Sequence, residues 1–169
     1  MKKLFIALIA IVSVISVNAQ ENVKKEKDLA VVVDSLTAKL NKLQNDYDYL
    51  YCNYELNKTS QSLTNLSDAL SIKINELKFM IYNERFNYNL YKALEEYYDA
   101  VVRNYNSIKE GIASLKMNIR IIMMTSNFSE LQKDILRHTM GSVLDNGMDV
   151  VAQSLSLYKS YLEEYYKKW

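Results

Sequence analysis

The sequence predicts an all-α protein: an antiparallel bundle of three or four long helices with coiled-coil-like heptad packing. Three observations lead there. Apolar and aromatic residues recur in alternating steps of four and three along most of the chain. That spacing keeps one stripe on one face of a helix, which a strand pattern of period 2 does not. Proline is absent and glycine occurs only at Gly111, Gly141 and Gly147, so the turn-forming residues that a sheet-rich fold requires are missing. Finally, 169 residues with 49% hydrophobic content suffice for one ordinary domain and are too few for two large ones.

Residues 1–19 read as an export signal. Lys2 and Lys3 precede an apolar run from Leu4 to Ile15, and Val17-Asn18-Ala19 gives a small-residue end. These are the n-region, h-region and cleavage site of a secretory signal peptide. Cleavage after Ala19 would leave 20–169 as a single helical-bundle domain. The competing reading, a membrane anchor, meets a run shorter than the roughly 18 apolar residues that span a bilayer. No cysteine stands at the cleavage point, which argues against lipid attachment there. The short basic start and the Asn-, Lys- and Tyr-rich body suggest a bacterial protein that is periplasmic or extracellular. No later segment is long and apolar enough to span a membrane, so no transmembrane segment is expected after cleavage.

The first seam after the signal is Leu29, Val33, Leu36, Leu40, Leu43, Tyr47, Leu50 and Tyr54. Next comes the wholly polar stretch Asn57-Lys58-Thr59-Ser60-Gln61-Ser62, rich in helix-capping residue types, where a turn is expected. A second seam runs from Leu63 to Ile122 and is interrupted only by Lys73, Glu84 and Asn87. Polar residues in an apolar seam either set register or mark where water reaches the end of a bundle, and both readings stay open. Thr125-Ser126-Asn127 marks the next break, with Asn127 and Glu130 at capping-box spacing. Folding back near residue 126 would place Leu162 beside Tyr91. The third seam is Leu144, Met148, Val151, Leu155, Tyr158, Leu162, Tyr165 and Trp169. Asp145-Asn146-Gly147 either ends a helix there or lies within a continuous one, since a mid-helix glycine costs only about 1 kcal/mol. A bend in the central helix near Asn83–Asn89 would convert three helices into four.

Most chemistries lack their residues. Lys and Arg number 21 against 20 Asp and Glu, which gives no basic face for nucleic acid. Removing Lys2 and Lys3 with the signal leaves the remainder near neutral. His138 and Cys52 are the sole histidine and cysteine, so no metal or cofactor is expected. Asp134 stands one turn before His138, but a triad would also need a nucleophile on a strained turn, and no G-x-S-x-G occurs. The adjacent pairs Glu95-Glu96 and Glu163-Glu164 point about 100° apart on a helix and cannot oppose each other across a cleft. An enzyme is therefore not expected.

Fourteen tyrosines are the most unusual feature of the composition. Tyr49, Tyr51, Tyr82, Tyr88, Tyr97, Tyr161 and Tyr166 lie off the seams and are the candidate partner-binding residues, because tyrosine offers a large contact area with a polar tip. Cys52, unpaired within the chain, is either a shielded small hydrophobe or the site of an intermolecular disulfide. The expected function is a non-enzymatic, exported protein that binds another protein or itself, in a cell-envelope, secretion or pilus assembly. The rival expectation is a small-molecule-binding or unusual hydrolytic bundle with a pocket near Glu84, Asn87 and the C-terminal aromatics, with Lys73, Glu84 and Asn87 as the register or pocket candidates. A third is membrane-surface association through Leu155–Trp169, whose mixed charge gives no pull toward anionic lipid.

Overall fold

The computed structural model describes residues 23–83 and 86–168. All regular structure among them is helical. Helix α1 spans Val23–Asn83, α2 spans Tyr88–Thr125, α3 spans Glu130–His138 and α4 spans Leu144–Tyr166. A π-helical turn, Thr139–Val143, joins α3 to α4 without leaving helical backbone, so Glu130 to Tyr166 forms one continuous rod. The export signal, Glu84 and Trp169 lie outside the described residues.

The expected turn at residues 57–62 is absent, and α1 runs straight through it. The polar residues there bond back along their own helix instead of capping a new one. Thr59 Oγ1 donates to the Glu55 carbonyl at 2.8 Å, Ser62 Oγ to Lys58 at 3.1 Å and Thr64 Oγ1 to Ser60 at 3.1 Å. Such back-bonding lets Ser and Thr sit mid-helix. With neither proline nor glycine nearby, nothing forces a break.

The chain divides into two compact units, Met1–Gln44 and Asn45–Trp169. In the first, no residue from Leu29 to Gln44 is buried, and Leu29, Val33 and Leu40 are half-buried. In the second, one core collects Cys52, Leu56, Leu63, Leu66, Leu70, Ile74, Leu77 and Ile81 from α1. Leu94, Val101, Ile112 and Ile119 come from α2, and Leu144, Val151, Leu155, Tyr158, Leu162 and Tyr165 from α4. Within this unit, Tyr158 meets Leu94, Met148 meets Tyr105 and Asp145 meets Lys116. Those contacts run in opposite chain directions, in the register expected from a fold-back near residue 126. Leu63 and Gly147, then Lys78 and Tyr161, run in the same direction along α1 and α4.

Two junctions are held by capping. Asn87 is the N-cap of α2, its side chain accepting from the Leu90 N–H at 3.2 Å. Ser129, rather than Asn127, caps α3 in a full capping box with Gln132. The two-residue difference follows from the loop's own anchors. The Asn127 N–H donates to Asn45 Oδ1 at 2.9 Å, Ser126 Oγ donates to Asp48 Oδ2 at 2.7 Å, and Phe128 is buried edge-on to Tyr49. Gly147 does not end a helix. A Cβ there would stand 3.0 Å from Leu63 Cδ1, so the missing side chain permits α4 to approach α1 closely.

Candidate interaction surface

The α1 helix presents two apolar faces between Asn45 and Leu56. Tyr49, Cys52 and Leu56 face the core. Tyr47, Leu50 and Tyr54, the end of the first sequence seam, are 59%, 67% and 63% exposed. The two sets are offset by two residues, which is about 200° around a helix. This end of the seam, expected to be covered by neighbouring helices, therefore points the other way. Farther toward the N-terminus on the same helix, Leu36 and Leu43 are also exposed. The expected core role of this seam is corrected on physical grounds. Cys52 and Leu63 are eleven residues apart, close to three whole turns, so the core stripe of α1 extends back from Leu63 through Leu56 and Cys52. Tyr54, nine residues before Leu63, falls half a turn away.

Of the off-seam tyrosines, Tyr51, Tyr82, Tyr88 and Tyr166 are exposed, and Tyr49, Tyr97 and Tyr161 are half-buried. Five of the seven engage neighbours on the protein itself. Tyr49 packs on Phe128. Tyr97 packs against Tyr158, with Lys73 Nζ 5.9 Å from its ring centre. Tyr161 lies under Lys78 at 5.1 Å, and Tyr88 under Lys92 at 6.0 Å. Tyr166 packs tilted against Tyr91 and edge-on against Phe86. Tyrosines on the core seams also pack: Tyr98 lies parallel to Tyr158 with centres 5.9 Å apart, and the Tyr158 hydroxyl donates to the Leu94 carbonyl at 3.1 Å. Burial, then the nearby Tyr97 and Glu76, raises the Tyr158 phenol well above its ordinary range. Outward-facing tyrosines that the off-seam criterion missed are Tyr47 and Tyr54. Their signal was present in the sequence, as members of a seam out of phase with Leu63.

Of the polar breaks of the central seam, Lys73 and Asn87 make separate contacts, and Glu84 lies outside the described residues. Lys73 pairs with Glu76 at 2.6 Å on its own helix. Asn87 belongs to the α1–α2 junction, where its N–H donates to the buried Tyr165 hydroxyl at 3.1 Å. Cys52 is free and fully buried. Burial, followed by the Asp48 carboxylate, pushes its thiol up to about 11. An intermolecular disulfide there would require the core to open. His138 is exposed and faces Ser142 Oγ at 3.2 Å, while Asp134 pairs with Arg137 at 2.7 Å instead.

Two shallow grooves flank this framework. One, beside the π-turn, is lined by Lys116, Arg120, Arg137, Met140, Gly141 and Asp145. Its charges are largely answered from within, since Lys116 pairs with Asp145, and Arg137 with Asp134 and Glu130. The other includes Glu55, Lys58 and Ile108. Among the described residues there is no cluster of three or more metal-ligating side chains. None of the described helices is long and apolar enough to cross a membrane. No protein-family model, curated protein or solved structure matches the chain.

Proposed function

We propose that this is an exported, non-enzymatic protein whose helices form an antiparallel, heptad-packed bundle and whose outer helix face binds protein, as an interaction or structural component of a cell-envelope or secretion assembly. The observation that carries the reading is the outward seam of α1. Tyr47, Leu50 and Tyr54 are exposed on a stretch of helix whose opposite face, Tyr49, Cys52 and Leu56, already packs in a core. Leaving such a row in water forgoes roughly 25 cal/mol for every Å² of apolar surface. A row of large apolar side chains left exposed in this way marks association sites. Export is supported by the charge and hydropathy pattern of residues 1–19. The non-enzymatic reading rests on the lack of convergent acid, base or nucleophile groups in the sequence.

Site-specific photo-crosslinking in the native cell envelope tests the proposal. A photoreactive side chain at Leu50 should give a discrete adduct with protein, whereas one at Leu56, on the core face, should give none. Adducts absent from Leu43, Leu50 and Tyr54 alike would overturn it.

A further inference from the structure

We infer that the groove beside the π-helical turn binds a small-molecule oxyanion, a phosphate or carboxylate held by Arg120, and that the turn is kept to shape this groove. The site lies within the Asn45–Trp169 unit and does not involve the outward face of α1.

The turn itself is the first observation. A π turn closes hydrogen bonds from i to i+5 and so holds one residue more than an α turn. Here the Leu144 N–H reaches back five residues to the Thr139 carbonyl. The core stripe records the extra residue. Leu136, Met140 and Leu144 are buried at successive steps of four, whereas Val151, Leu155, Tyr158, Leu162 and Tyr165 alternate four and three. Removing one residue between Met140 and Leu144 would restore a step of three at the junction, so the periodicity of the core gives no reason for it. Such turns are rare and gather at functional sites.

What the turn borders is the second observation. A groove of about 340 Å³ opens beside it, lined by the cationic Lys116, Arg120 and Arg137 against one carboxylate, Asp145, and by Met123 and Met140. Gly141 lines it too, with open space where a Cβ would stand. That volume lies in the range of small-molecule sites. Lys116 is committed to Asp145, but Arg120 has no ion-pair partner among the described residues. Arg137 meets Asp134 and Glu130 through Nη1 in both contacts, leaving the rest of its five-donor fork uncommitted. A guanidinium fork matches two oxygens of a phosphate or carboxylate. The methionines supply an adaptable apolar wall for the body that carries the charge.

Amide NMR titrations with inorganic phosphate and with butyrate, at constant low ionic strength, test the site on the protein purified from expressing cells. At least one probe should give saturable shifts centred on Arg120, Gly141 and Ser142, and the tighter of the two identifies the oxyanion preferred. Arg120→Gln should weaken binding at least about tenfold. Arg103→Gln, exposed on the same helix, should leave it within about twofold. Deleting Gly141 should abolish the shifts while helicity by circular dichroism is kept and the urea midpoint stays at or above the parent's. No saturable shift with either probe overturns the inference, as does binding indifferent to Arg120→Gln. A Gly141 deletion that unfolds the chain, or that binds like the parent, overturns the role given to the turn. None of these variants alters α1, so their failure leaves the proposed function standing.

Discussion

Tyr158 provides the sharpest test of the core, because its ring and its hydroxyl make separable contributions. The ring is fully buried, parallel to Tyr98 and tilted against Tyr97, both at 5.9 Å. The hydroxyl donates to the Leu94 carbonyl at 3.1 Å. That carbonyl lies inside α2 and keeps its helical partner when the hydroxyl is removed, so no acceptor is orphaned. Tyr158→Phe should therefore cost only about 1 kcal/mol, the net worth of a neutral hydrogen bond. Tyr158→Ala removes the ring as well. Truncating a buried aromatic costs about 3–5 kcal/mol, and each lost ring pair adds about 0.5–1.5 kcal/mol. That sum approaches the whole stability of a small domain, about 5–15 kcal/mol. Urea unfolding followed by circular dichroism measures both, with an unchanged slope showing that the same transition is compared. A Phe variant as damaged as the Ala variant would refute the separation of ring from hydroxyl. An Ala variant costing less than about 1 kcal/mol would refute the burial itself.

Three further predictions follow from the same geometry. Leu56→Ala should cost about 2–5 kcal/mol whereas Leu50→Ala should stay within about 0.5 kcal/mol in a monomeric sample, and urea titration of the two reads which face of α1 is covered. Ser129→Ala, which removes the α3 cap, should cost about 1 kcal/mol by the same assay. The Cys52 thiol is raised from 9.0 to about 11 in the folded chain, so the unfolded chain loses that proton first as pH climbs. Its contribution is intact below pH 9 and is lost between pH 9 and 11, by up to about 3 kcal/mol. Cys52→Ala should show a shallower fall in stability over that window, and parallel curves for parent and variant would exclude the burial of the thiol.

Much of the helical design is legible along the chain. Leu63, Leu66, Leu70, Leu77, Leu94, Val101, Ile112 and Ile119 turn inward on the central seam, as do Leu144, Val151, Leu155, Tyr158, Leu162 and Tyr165. Periodicity suffices there because each of those stretches carries one dominant apolar stripe. The break near residue 126 was legible too, although its cap fell at Ser129 because Phe128 is drawn into the core first. The polar run at 57–62 misled for a physical reason. Ser and Thr satisfy a helix end or a helix interior with the same side-chain groups, and here Thr59, Ser62 and Thr64 bond to carbonyls one turn back.

By itself, the sequence determined that the chain is helical, that its charge is balanced and which residues share a face. The choice between the two faces of α1 came only with tertiary structure. Tyr49, Cys52 and Leu56 form one apolar face and Tyr47, Leu50 and Tyr54 another, and local periodicity ranks the second as the better seam. Phe128 against Tyr49, with Asn127 and Ser126 bonded to Asn45 and Asp48, decides for the first. Periodicity states which residues point the same way. What covers them is set by residues some 80 positions distant, because burial is a property of contacts between helices and not of any one helix.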